Sequence, residues 1–93
     1  MTKIVIVDDE QDILDVLGFN LRTAGYEVVQ ASSGREGLQI ILATKPDLVI
    51  LDLMLPDISG TELCRTLRET PEGKTMPVMM LSARGEEIYR VVG

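Results

Sequence analysis

Residues 3–9 read Lys3-Ile4-Val5-Ile6-Val7-Asp8-Asp9, and residues 48–52 read Leu48-Val49-Ile50-Leu51-Asp52. Both are near-continuous aliphatic runs that end in carboxylates. Runs of Val, Ile and Leu without polar alternation are buried on both faces, the pattern of parallel strands in an open α/β sheet. Such strands aim their C-terminal ends at a shared crevice where ligands bind, so Asp8, Asp9 and Asp52 are expected to meet at one sheet edge. Carboxylates so close together in low dielectric cannot all stay ionised unaided. Either one takes up a proton or a hard divalent cation such as Mg2+ occupies the site. The spacing points to a Mg2+-dependent phosphoryl site centred on Asp52.

The rest of the chain alternates in the same way. Between Gln11 and Ala24, Ile13, Leu14, Val16, Leu17 and Leu21 follow helical spacing, and Gly25 is placed for a left-handed cap. Residues 27–31 read as a short strand, and Ser32-Ser33-Gly34 as a turn and cap. A second helix carrying Leu38, Ile41 and Leu42 stops before Pro46. After the third strand, 48–52, the segment 56–60 is a loop, and Leu63 and Leu67 mark a third helix that breaks at 70–74. A fourth strand is predicted over 77–81, and Ile88, Val91 and Val92 begin a further helical stripe. Repeated βα units imply a parallel sheet. No linker or low-complexity tract divides residues 1–93.

With 93 residues, 45% of them hydrophobic and only 3% aromatic, the chain is one domain with an aliphatic core. Nine Lys and Arg against fifteen Asp and Glu give a net charge of -6. That sign opposes phosphate neutralisation, so no direct nucleic-acid contact is expected. The single cysteine, Cys64, forms no intrachain disulfide and reads as a small apolar helix residue. No apolar run is long enough for a signal peptide or a membrane helix, and a soluble, cytoplasmic protein without membrane contact is expected.

Phosphoryl transfer needs an oxygen nucleophile, a cation against the developing charge, and donors for the equatorial oxygens. Asp52 is the candidate nucleophile, forming an aspartyl phosphate. Asp8 and Asp9 are candidates for holding Mg2+, Ser82 offers a hydroxyl at the end of the fourth strand, and Ala83 is small enough for its N–H to reach a phosphoryl oxygen. Taken singly, each aspartate also fits a turn or cap, and Ser82 a cap; their conjunction at three strand ends carries the reading. Gly73-Lys74-Thr75 is not a P-loop, because Arg68 stands where the earlier glycine is required. The chain has no histidine, hence no imidazole base. Glu62, Arg65, Arg68 and Glu69 read as the solvated face of the third helix.

Three stretches, Val7-Asp8-Asp9-Glu10, 51–60 (LDLMLPDISG) and Leu81-Ser82-Ala83, resemble the receiver domain of bacterial two-component response regulators, in the variant found in winged-helix transcription regulators. The resemblance implies a flavodoxin-like doubly wound fold, for which the chemotaxis receiver is the standard example of strand order 2-1-3-4-5. It makes Asp52 the phosphoacceptor, Asp8 and Asp9 the acidic pocket, the Met54 backbone carbonyl a further Mg2+ ligand, and Ser82 the switch hydroxyl. The implied donor is a phosphohistidine of a sensor histidine kinase.

Receivers of this family continue through a fifth parallel strand, which ends in Lys-Pro, and a fifth helix; here no lysine follows Lys74. The expectation is therefore the N-terminal portion of a receiver, a sheet of about four strands ordered 2-1-3-4, with no effector domain. Mg2+ binding with impaired phosphorylation is expected, with no turnover of external substrates and no regulatory output. The 78–81 strand is expected at a bare sheet edge. Apolar side chains of the first and third strands, Val5, Val7 and Val49 or Ile4, Ile6 and Ile50, are expected to meet water, favouring a homodimer or swapped assembly, or else a partly molten monomer. An association-only fragment is the alternative. A Mg2+-dependent aspartyl phosphatase is disfavoured, because its general acid would stand at Met54.

Overall fold

The computed structural model describes residues 1–81 and 89–92, the last four as backbone. The elements are β1 (Lys3–Val7), α1 (Gln11–Thr23), β2 (Glu27–Ala31), α2 (Gly34–Thr44), β3 (Leu48–Asp52), α3 (Gly60–Arg68), β4 (Val78–Leu81) and β5 (Tyr89–Val92). They form one sheet in the order β2-β1-β3-β4-β5, in which the first four strands pair in parallel.

Strand alternation sorts the core into two layers. Val5, Val7, Val49, Leu51 and Val78 face one way, against Ile41 of α2 and Leu63, Cys64 and Leu67 of α3. Ile4, Ile6 and Ile50 face the other way, against Leu14 with Leu17 and Leu21 of α1. Each such aliphatic side chain contributes roughly 1.5–3 kcal/mol on burial. The expected wetting of β1 and β3 is corrected: Ile4, Ile6 and Ile50 are at most 7% exposed, and Val5, Val7 and Val49 are fully buried. Beside α1, a cavity of about 410 Å3 lined by Asp12, Ile13, Val16, Leu17 and Leu81 remains open on this face.

The expectation for the end of the sheet is corrected as well. β4 is not an edge, because β5 runs antiparallel beside it, with Val78 opposite Val92 and Leu81 opposite Tyr89. The helical stripe expected there is therefore a strand at 91 and 92, while Ile88 lies outside the described residues. Pairing of β5 satisfies the N–H and C=O groups whose exposure was the ground for expecting association through β4.

Helix registers also differ from the sequence reading. On α1 the inward stripe is Leu14, Leu17, Gly18 and Leu21, which leaves Val16 60% exposed. On α2, Ile41 is buried and Leu42 is exposed. Arg68 does not belong to the solvated face: its Nη1 donates to the carbonyls of Gly73 and Met76, both at 2.6 Å, tying the turn after α3 to the approach of β4.

The helix ends follow from local chemistry. Ser33 and Ser59 accept from Glu36 and Glu62 N–H at the starts of α2 and α3. Gly25, at φ 101°, follows α1 as expected. α2 instead ends on Lys45 in the left-handed region, at φ 50°, its N–H on the Ile41 carbonyl. Lys45→Gly is expected to stabilise the chain by about 0.5–1 kcal/mol, because relief of left-handed strain outweighs the added backbone freedom. Urea unfolding checks this, and a lower midpoint for the variant would contradict it.

Candidate phosphoryl and metal site

The register brings the strand ends together. Val7 stands opposite Leu51 and Asp52 opposite Leu81, so the residues following β1 and ending β3 occupy the same C-terminal edge. Asp8 and Asp52 are both buried, at 2% and 4% exposure, while Asp9 is exposed. One carboxylate oxygen from each of the three lies within 4.8 Å of the other two.

Backbone amides orient the two buried acids. Glu10 N–H donates to Asp8 Oδ1 at 2.8 Å, and Met54 N–H donates to Asp52 Oδ1 at 3.1 Å. These bonds favour the ionised forms, but burial wins. Desolvation, with smaller contributions from the charges of Asp52, Asp9 and Glu10, pushes Asp8 up to about 6. Asp52 is also raised, first by desolvation and then by Asp9. Such a cluster favours either protons or a cation. Its donors are three carboxylate oxygens, and that set suits Mg2+ better than a metal preferring nitrogen or sulfur.

Met54 lies in the β3–α3 loop beside Asp52, with its side chain 58% exposed. Ser82 and Ala83 lie outside the described residues. Two features of the loop were not anticipated. Asp57 accepts from Gly34 N–H and Arg35 N–H, each at 2.9 Å, across the first turn of α2. Gly60 packs so closely on the end of β3 that a Cβ there would stand 2.5 Å from the Asp52 carbonyl oxygen. The loop composition at 56–60 signals turn-forming residues, but their partners are distant in sequence or are backbone.

Residues 4–93 match the family model described as the response regulator receiver domain. The chain is 44% identical over 91 residues, 98% of its length, to the alkaline phosphatase synthesis transcriptional regulatory protein PhoP of Bacillus subtilis, and spans 37% of that protein. Among solved structures it is similar to the chemotaxis response regulator CheY4 of Vibrio cholerae, with a TM-score of 0.87 and 32% identity over 92% of this chain and 72% of that one. It is also similar to the N-terminal domain of a response regulator receiver protein from Methanoculleus marisnigri, with a TM-score of 0.85 and 38% identity over 90% of this chain and 68% of that one. With the acidic cluster at the C-terminal edge of a sheet whose parallel strands run β2-β1-β3-β4, these matches mean that the chain belongs to the response regulator receiver domain family.

Proposed function

We propose that the chain accepts a phosphoryl group on Asp52, from a phosphohistidine of a sensor histidine kinase, in a Mg2+-dependent step. The observation that carries this reading is the convergence of Asp8, Asp9 and Asp52 within 4.8 Å, with Asp52 buried and oriented by the Met54 N–H. Asp8, Asp9 and Asp52, joined by the Met54 carbonyl, would hold Mg2+, which when bound neutralises charge on the transferring group.

The remaining work falls to the chain's own groups. The Met54 N–H holds Asp52 Oδ1, leaving the other oxygen to attack phosphorus. The new O–P bond forms as the P–N bond breaks, and its electron pair returns to the departing imidazole. The Ser82 hydroxyl and Ala83 N–H are assigned to the phosphoryl oxygens by resemblance. Hydrolysis of the acyl phosphate ends the signal, so the domain turns over its own phosphoryl group and no external substrate. Transcriptional control and the cytoplasmic setting belong to the proposal for the whole protein.

Incubation with Mg2+ and acetyl phosphate, followed by intact-mass measurement, is expected to show one added phosphoryl group. Asp52→Ala should add none, and omission of Mg2+ should give the same loss. Equal labelling of parent and Asp52→Ala would remove Asp52 from its role.

A further inference from the structure

We propose that Asp57 is a positioning residue for the Asp52 site: its carboxylate fastens the 53–59 loop to the first turn of α2 and thereby fixes the Met54 N–H that orients Asp52. The Mg2+ part of this inference rests on the function proposed above, whereas the positional part stands on the geometry alone.

The first turn of α2 has a complete set of acceptors. Ser33 Oγ takes the Glu36 N–H, the Ser33 carbonyl takes the Gly37 N–H, and the two oxygens of Asp57 take those of Gly34 and Arg35. Arg35 N–H lies at the surface, where water would serve it equally well. The two-oxygen grip from 22–23 residues away therefore does more for the loop than for the helix. The positive end of the helix strengthens it, and both N–H bonds hold the Asp57 carboxyl below its ordinary range, Arg35 first.

The loop is shaped for this contact. A Cβ at Gly34 would run into the Ile58 side chain and stand 3.2 Å from the Ile58 carbonyl oxygen, so close approach depends on the absent side chain. At the far end, Gly60 N–H donates to the Leu53 carbonyl at 3.0 Å, closing the loop on itself. Met54 lies between these anchors with an exposed side chain. Its N–H is thus placed by the backbone on either side of it, and Asp57 is the polar anchor on the C-terminal side.

The test compares the 93-residue chain with Asp57→Ala, Asp57→Asn and a control, Ser33→Ala, which removes the other side-chain cap of α2 without touching the loop. In metal-free protein, Asp57→Ala should shift the Met54 amide resonance and speed its hydrogen exchange. Asp57→Asn, which keeps one acceptor, should do so less, and it replaces the alanine variant should that one fail to fold. Titration with Mg2+ should show affinity about 10-fold weaker in Asp57→Ala and unchanged in Ser33→Ala. An unperturbed Met54 amide in both Asp57 variants, or equal perturbation by Ser33→Ala, overturns the proposal. If the parent shows no Mg2+ response, the functional reading fails and the amide measurements alone decide the role of Asp57.

Discussion

Replacing Asp8 by asparagine is expected to stabilise the metal-free chain by about 3 kcal/mol at pH 7 and to abolish its response to Mg2+. Asp8 is 2% exposed, and its carboxyl is pushed from 3.8 up to about 6, chiefly by burial. A raised folded-state value means that the native chain binds more protons than the unfolded chain between these limits. Stability therefore falls as pH rises from about 4 to about 6, and levels off above. Asparagine keeps the oxygen that accepts the Glu10 N–H and removes the charge. Its presence also relieves Asp52 of one nearby charge. For a domain of this size the melting temperature should rise by about 12–24 °C. Saturating Mg2+, at about 100 times its Kd, should restore roughly 2.7 kcal/mol to the parent and none to the variant. Urea unfolding from pH 4 to 7, in EDTA and in Mg2+, reads all of these effects. A variant less stable than the parent at pH 7, or one with the same pH slope, would show that burial does not strain Asp8.

The second large effect is expected at Gly60. A Cβ there meets the Asp52 carbonyl oxygen at 2.5 Å and Leu53 Cα at 2.9 Å, both backbone atoms that no rotamer change can move. Gly60→Ala must push α3 outward or displace the end of β3, at a cost of about 1–3 kcal/mol despite alanine's better helix propensity. Displacing β3 moves Asp52 itself, so labelling by acetyl phosphate should slow as well. Gly25→Ala is the control. Its site has φ 101° but nothing within 4 Å, so it pays only backbone strain and should label normally. A Gly60→Ala chain with parental stability and labelling would mean that the helix start yields without moving the strand.

The strands at 3–7 and 48–52 are legible because they are nearly pure aliphatic runs, whereas 27–31, with Glu27 and Gln30 beside Val28 and Val29, is legible only in outline. The acidic cluster was legible for the same reason, since a parallel strand announces where its C-terminal end will lie. Helix faces were less so. Val16 and Leu42 fit a helical period but point outward, because Gly18 and Ile41 set the line that meets the sheet. At the end of the described chain, Tyr89–Val92 is too short to separate a period of two from one of 3.6, and pairing with β4 decides it. Arg68 looked like one more surface charge because composition cannot show the carbonyls of Gly73 and Met76 curling back to it. Asp57 was read as a loop residue for a similar reason, its partners lying far back in sequence.

The placement of β1 between β2 and β3 has a consequence for a chain emerging from the ribosome. One flank of β1 is covered by β2, Ile4 pairing with Val28, but the other waits for Leu48. At about 5–20 residues per second, β3 is made roughly 2–9 s after β1. Through that interval the nascent chain carries the aliphatic strand Ile4–Val7 with at least one flank unpaired, a template for pairing with any other extended apolar segment. Slowing translation between codons 31 and 48 should therefore lower the yield of folded chain and increase capture by chaperones, although the finished protein is identical.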